Sequence, residues 1–224
     1  MLFRSKRLLD KSISLRDGIR IGKLLSIIHK FFYKKNKYKI IFLNDKTFFD
    51  IRIEPYLVFT SKFYPEFSEH YKTIIDFLKK DKSTVIHGDF SPKNILLGRN
   101  HPVILDAETA CWGNPAFDLA FLNNHIILKS IFNKEIFKSY LKLSKSFLES
   151  YLAHFSIVNN KKFLRSFILL QALLILARVD GKSPVEYFKK KHKNLARNFA
   201  KNLLINKSSN LNNFYQEWEK IVKT

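Results

Sequence analysis

The spacing of apolar residues changes character three times along the chain, and each change predicts a different element. Ile21, Leu24, Leu25, Ile28, Phe31 and Phe32 recur every three to four positions, the mark of an amphipathic helix within the first 35 residues. Gly18 and Gly22 weaken that helix, since glycine costs ~1 kcal/mol relative to alanine in a helix interior. Between 38 and 53 the runs YKIIFL and TFFDIRI flank an Asn-Asp-Lys turn signal, which predicts a β-hairpin. Tyr71, Ile74, Ile75 and Leu78 return to helical spacing and predict a helix over 67–80. In 84–118 the short runs TVIH, NILLG and PVILD are separated by Gly, Pro and polar residues, predicting short strands joined by tight loops. Beyond them helical patterns cover 126–132, 137–155, 163–179 and 184–204. The last has Ser183 placed as N-cap, Pro184 at the first helical position and an apolar stripe of Phe188, Leu195, Phe199 and Leu203. Asp180-Gly181 before it is a turn signal, so helix punctuation accounts for most of the segment 177–187. The pattern shows no internal repeat or linker, and the expected fold is α+β, mostly helical, in one domain over 1–224.

Composition supports a packed core: 46% of the residues are hydrophobic and 22 are Phe, against only 6 Gly and 6 Pro. The apolar stretch 167–177 is interrupted by Gln171 and bracketed by Arg165 and Arg178. It falls short of the ~20 residues that a membrane span needs and reads as a buried helix. Forty Lys and Arg against 19 Asp and Glu give a formal charge of +21. A nucleic acid, an anionic surface or a phosphorylated metabolite could be the reason, but the lysines are spread along the chain rather than gathered in a tract, which favours a general surface bias over a nucleic-acid site. Cys111 is the only cysteine, so an intrachain disulfide is impossible, and with no signal-peptide pattern at the N-terminus a cytoplasmic location is expected.

The charge balance reverses in 84–118, where Asp89, Asp106, Glu108 and Asp118 stand against Lys93 and Arg99. Asp89, Asn94 and Asp106 are oxygen donors at loop positions beside short strands. That suits a hard cation held by few protein ligands and completed by water and phosphate oxygens, as Mg²⁺ is with a nucleotide.

The spacing within this segment is specific. His87-Gly88-Asp89-Phe90-Ser91-Pro92-Lys93-Asn94, followed by Ile95-Leu96-Leu97, resembles the catalytic loop of the aminoglycoside phosphotransferases and choline kinases and keeps the Asp-to-Asn offset of protein kinases. Ile104-Leu105-Asp106-Ala107-Glu108 is similar to the family's metal-binding segment, and Gly113-Asn114-Pro115 with Asp118-Leu119-Ala120 to its continuation. The resemblance implies a protein-kinase-like C-terminal lobe, with 84–108 as the short-strand catalytic segment and about 21–204 as the matching core. It implies ATP as phosphate donor and Mg²⁺ as cofactor. Asp89 would be the catalytic base, and Lys93, Asn94 and Asp106 would bind the cofactor. Asn94, Asp106 and Glu108 would be the metal ligands. His87 and Asp118 would support the loop rather than react, while Lys93 could reach a phosphate or point to solvent.

A nucleotide-binding N-lobe with a Gly-rich loop and a strand lysine is also implied. Neither feature is found ahead of Asp89, so a separately encoded N-lobe is an expected partner. Three readings follow: an ATP- and Mg-dependent phosphotransferase acting on a small-molecule hydroxyl, or its catalytic lobe; a truncated or pseudokinase lobe that binds without catalysis; and a nucleic-acid or anionic-surface binder. The acceptor itself is not legible, with amino sugars, choline or ethanolamine, sugars and sugar-nucleotide precursors all open.

Overall fold

The computed structural model describes residues 14–98, 101–206 and 210–223. The first helix, α1 (Leu15–Phe32), opens on Ser14, whose hydroxyl accepts from the Arg16 amide at 3.1 Å. Its buried face packs on a later helix, α5 (Phe137–His154). Gly18 and Gly22 are what permit that contact. A Cβ on Gly18 would lie 2.7 Å from the Leu143 carbonyl oxygen, and one on Gly22 would overlap the Phe147 carbonyl. The helix propensity given up at both positions is thus exchanged for close backbone packing.

The hairpin expected over 38–53 does not form. Residues 36–38 make a single 3₁₀ turn. Residues 45–61 then run as one helix, α2, in which Asp45–Phe48 and Phe59–Ser61 are α-helical and the middle, Phe49–Val58, is π-helical. Two facts explain the reversal. The buried residues Phe48, Ile53 and Leu57 are five and four positions apart, which puts them on one face of a wide i→i+5 helix, whereas a strand would turn Phe48 to the face opposite Ile53 and Leu57. Pro55, inside the helix, has no amide to donate, and a wider turn tolerates that better than an α-turn does. Ile40, Ile41 and Leu43, the apolar half of the supposed first strand, remain exposed.

The third helix, α3 (Ser68–Lys80), forms within the predicted range, with Tyr71, Ile74 and Leu78 buried. Four three-residue strands follow: β1 (Thr84–Ile86), β2 (Ile95–Leu97), β3 (Pro102–Ile104) and β4 (Cys111–Gly113). β1 pairs antiparallel with β4, Val85 opposite Trp112, and β2 pairs antiparallel with β3, Leu96 opposite Val103. Three of these strands coincide with the predicted runs; β4 was not anticipated.

The rest is helical: α4 (Ala116–Phe132), α5, α6 (Lys161–Asp180), α7 (Lys190–Ile205) and α8 (Leu211–Lys223). α4 begins ten residues before the predicted 126 because nearly every side chain in it is buried, which erases the one-sided period. The helix expected from Pro184 starts only at Lys190, so Ser183 is not its N-cap. Instead Ser183 accepts from Arg178 through its hydroxyl at 2.9 Å and through its carbonyl. α8 was not predicted. Phe214, Tyr215, Trp218, Ile221 and Val222 bury one face of it, and Trp218 Nε1 donates to Ser130 Oγ at 2.8 Å. Among the described residues no helix is long and apolar enough to cross a membrane.

Candidate active site

The loop between β1 and β2 carries Asp89, and its shape is set from beneath. Asp118 lies in the first turn of α4, where the unpaired amides favour a negative charge, and it is fully buried. Its carboxylate accepts from the His87 amide at 2.7 Å, the Gly88 amide at 3.0 Å and His29 Nε2 at 3.2 Å. The Tyr151 hydroxyl lies 2.8 Å from His29 Nδ1, so α1 and α5 are tied into the same network. His87 Nδ1 accepts from the Asp89 amide at 3.2 Å. That leaves Nε2 to donate to the Leu105 carbonyl at 2.9 Å, a bridge from this loop to the segment after β3. Gly88 has φ of +75°, and a Cβ there would meet the Thr109 carbonyl oxygen at 2.6 Å. Both the turn and the packing demand glycine.

Asp89 is 8% exposed. Asn94 Nδ2 at 3.1 Å, Lys93 Nζ at 2.9 Å and an Arg52 guanidinium nitrogen at 3.3 Å all converge on Oδ2. Among the described residues nothing donates to Oδ1. The carboxylate is therefore anchored through one oxygen and open through the other, the posture a base needs to receive an acceptor hydroxyl. Lys93 is largely solvent-exposed, whereas Arg52 is half-buried, donates to the Gly88 carbonyl at 2.6 Å and lies 5.4 Å over the Phe121 ring.

Asn94 links the base to the second part of the site. Its amide nitrogen is committed to Asp89, both to Oδ2 and to the backbone carbonyl at 3.0 Å, so that its carbonyl oxygen is the end of the group that faces away from those bonds. The β2–β3 ladder continues through the Leu105 amide, which donates to the Asn94 carbonyl at 2.9 Å, so Asp106 stands one residue from Asn94's partner. Asp106 adopts φ of 61° and ψ of 57°, a left-handed conformation that Asp tolerates better than most residues. Its side chain is exposed, and among the described residues no cation pairs with it. Glu108 is likewise exposed, and only its carbonyl is engaged, by Asn44 Nδ2 at 3.3 Å.

Among the described residues no three His, Cys, Asp or Glu side chains gather as a metal cage. The donor set that remains, one amide oxygen and one carboxylate, fits a cation that keeps water and phosphate oxygens as its other ligands. Cys111 is buried, and burial first, then Asp118 and Asp45, push its thiol up to about 12. It is a packing residue without nucleophilic character.

A pocket of about 480 Å³ opens beside Asp89. Its walls include Arg52 and Tyr56 from α2, Phe121, His125 and Lys129 from α4, and Arg178, Ser183 and Tyr187 from the end of α6 and the turn after it. Sequence reasoning named none of these as site residues. Arg52 was hidden by the hairpin reading. Arg178 and Ser183 lay in a string read as helix punctuation. Lys129 left a usable signal, a single cation in the apolar run Ile126–Ile127–Leu128 before Ile131.

A loop base, an amide and a carboxylate placed at one edge of two small sheets, beside a pocket of acceptor size, define a candidate site for group transfer to a small molecule. Residues 60–147 match the model of the phosphotransferase enzyme family, APH. The match takes in both sheets and every residue in the Asp89–Asn94–Asp106 arrangement. No curated protein matches the chain.

Proposed function

We propose that this protein is a kinase-type phosphotransferase that moves the γ-phosphoryl group of ATP, with Mg²⁺, to a hydroxyl of a small molecule. The observation that carries the reading is the single Asn94 side chain that holds Asp89 through its nitrogen, at both the carboxylate and the backbone carbonyl; its oxygen would then serve a cation shared with Asp106. Base and cation ligands are thereby set at a fixed offset, which transfer by positioning and charge stabilisation requires. Asn94 and Asp106 would hold Mg²⁺, with Glu108 as a further ligand, and Mg²⁺ when bound would offset charge on the phosphates.

In the step itself the acceptor oxygen forms a bond to the γ-phosphorus as the bond from that phosphorus to the β-γ bridging oxygen breaks. ADP leaves with the electron pair, and the hydroxyl proton passes to Asp89. Arg52 and Lys93 hold Asp89 in place, and Lys93 is near enough to the loop surface to meet a phosphate oxygen. A nucleotide-binding N-lobe would complete the nucleotide site from the opposite side.

Asp89→Asn preserves shape and the contacts to Asn94 but removes the base. Turnover should fall ~10²–10⁴-fold with nucleotide affinity little changed. ATP consumption that is unaltered in this variant would dismiss Asp89 as the base.

A further inference from the structure

The walls of the pocket beside Asp89 are strongly cationic. Arg52, Lys93, Lys129 and Arg178 line it, and Asp89 is the one carboxylate among the lining residues. Arg52 and Lys93 are accounted for, since both pair with Asp89. Lys129 and Arg178 are not. Among the described residues neither meets a carboxylate. Lys129 is 3% exposed and has only the face of the Tyr187 ring, 3.9 Å from Nζ, as a partner for its charge. Arg178 gives one nitrogen to Ser183, and its Nε is buried with no acceptor among the described residues. A further donor, the hydroxyl of Ser91, also lines this pocket and is buried, with no partner among the described residues.

Such an arrangement is costly in the empty pocket. A buried ammonium near a guanidinium, with no counter-charge, is disfavoured both by desolvation and by mutual repulsion. His125, on the same wall, feels the same field: burial first, then Arg178, Lys129, Lys93 and Arg52, push it down to about 3, so it adds no negative charge and does not share the positive one. What relieves two unpaired cations and an orphaned hydroxyl together is an anion with several acceptor oxygens.

Resting on the phosphotransferase reading of this site, we propose that the acceptor is itself an anion: a hydroxyl compound whose phosphate or carboxylate group is received by Lys129, Arg178 and Ser91 while its hydroxyl meets Asp89. This selects against the cationic acceptors that the family resemblance leaves open, choline, ethanolamine and amino sugars, which would bring a positive charge to a wall that already holds two without partners.

The proposal is tested by binding without nucleotide, so that it stands apart from transfer. Glycerol 3-phosphate and glycerate serve as the phosphate and carboxylate probes, glycerol and choline as their neutral and cationic counterparts, each titrated calorimetrically. At least one anion should bind ~10-fold or more tightly than glycerol, as expected for charge-assisted hydrogen bonds, and the stronger of the two names the group. Lys129→Met and Arg178→Gln should each weaken that anion ~10-fold or more. Lys129→Met keeps the apolar stem and removes a buried unpaired charge, so its melting temperature should match or exceed that of the wild type. Asp106→Asn should leave anion affinity unchanged, which separates this pocket from the nucleotide's own phosphates.

Choline bound as tightly as the anions, no preference for either anion over glycerol, or a preference that survives in both variants would overturn the proposal. So would variants that weaken ATP but not the anion. Charge-selective binding by a chain that never consumes ATP would leave the anion-binding pocket standing and remove the transfer reading instead.

Discussion

Gly88 shows how narrowly the reactive loop is specified. Its φ of +75° costs any L-residue ~1–2 kcal/mol, and the Thr109 carbonyl 2.6 Å from a notional Cβ adds a clash that backbone must absorb. Gly88→Ala should lower the free energy of unfolding in a denaturant titration by at least that amount. It should also lower turnover, because the same residue donates its amide to Asp118 and accepts from Arg52 through its carbonyl. An alanine variant as stable and active as the wild type would mean that the loop is not held in this turn. The sequence exposed Asp89, Lys93, Asn94 and Asp106 because a contiguous loop and one short hairpin carry all four. Arg52, Lys129 and Arg178 reach the site from three separate helices, and the contacts that make them part of it are tertiary, so no spacing along the chain records them.

At the level of elements, the joint between α6 and α7 rests on Asp180. Arg197 grips it with Nε at 2.8 Å and a terminal nitrogen at 2.6 Å, and the Tyr64 hydroxyl donates at 2.5 Å. Burial alone would raise the carboxyl, but the hydrogen bonds from Arg197 and Tyr64 outweigh it and hold Asp180 below its ordinary 3.8. A carboxylate with a depressed value in the folded state contributes stability that is fully present above about pH 4 and is lost as the pH falls through the folded value. Arg197→Gln should therefore cost ~1–3 kcal/mol at neutral pH, and the difference from the wild type should shrink in melts below pH 4. A difference that is constant with pH would assign the effect to packing of the Arg197 stem. Legibility at this scale followed burial. Elements with one buried face, α1 and α3, were plain in the period. β-favouring composition misled over 38–53, where burial at wide helical spacing overrode it. α8 has a clear stripe from Phe214 to Val222 that went unread, so that omission was not forced by the physics.

Taken as a whole, the molecule is a Phe-rich helical body into which two small sheets and a largely buried loop are set, β1 and β4 with every residue buried, and the candidate site lies along that loop. The charge of +21 is unevenly used: most lysines are surface residues, while Lys129 and Arg178 are placed against the reactive loop. The fold class was legible because helix-forming periods dominate the chain. The cationic pocket beside Asp89 was not, since it depends on how α2, α4 and the end of α6 meet at the loop.

The central claim, that Asn94 and Asp106 together hold the metal–nucleotide complex, is tested most directly by Mn²⁺ binding followed by electron paramagnetic resonance with ATP present. Loss of one of so few protein ligands should weaken Mn²⁺ by ~10-fold or more in Asn94→Ala and Asp106→Asn, with their far-ultraviolet circular dichroism unchanged. Equal Mn²⁺ affinity in the wild type and both variants would contradict the account.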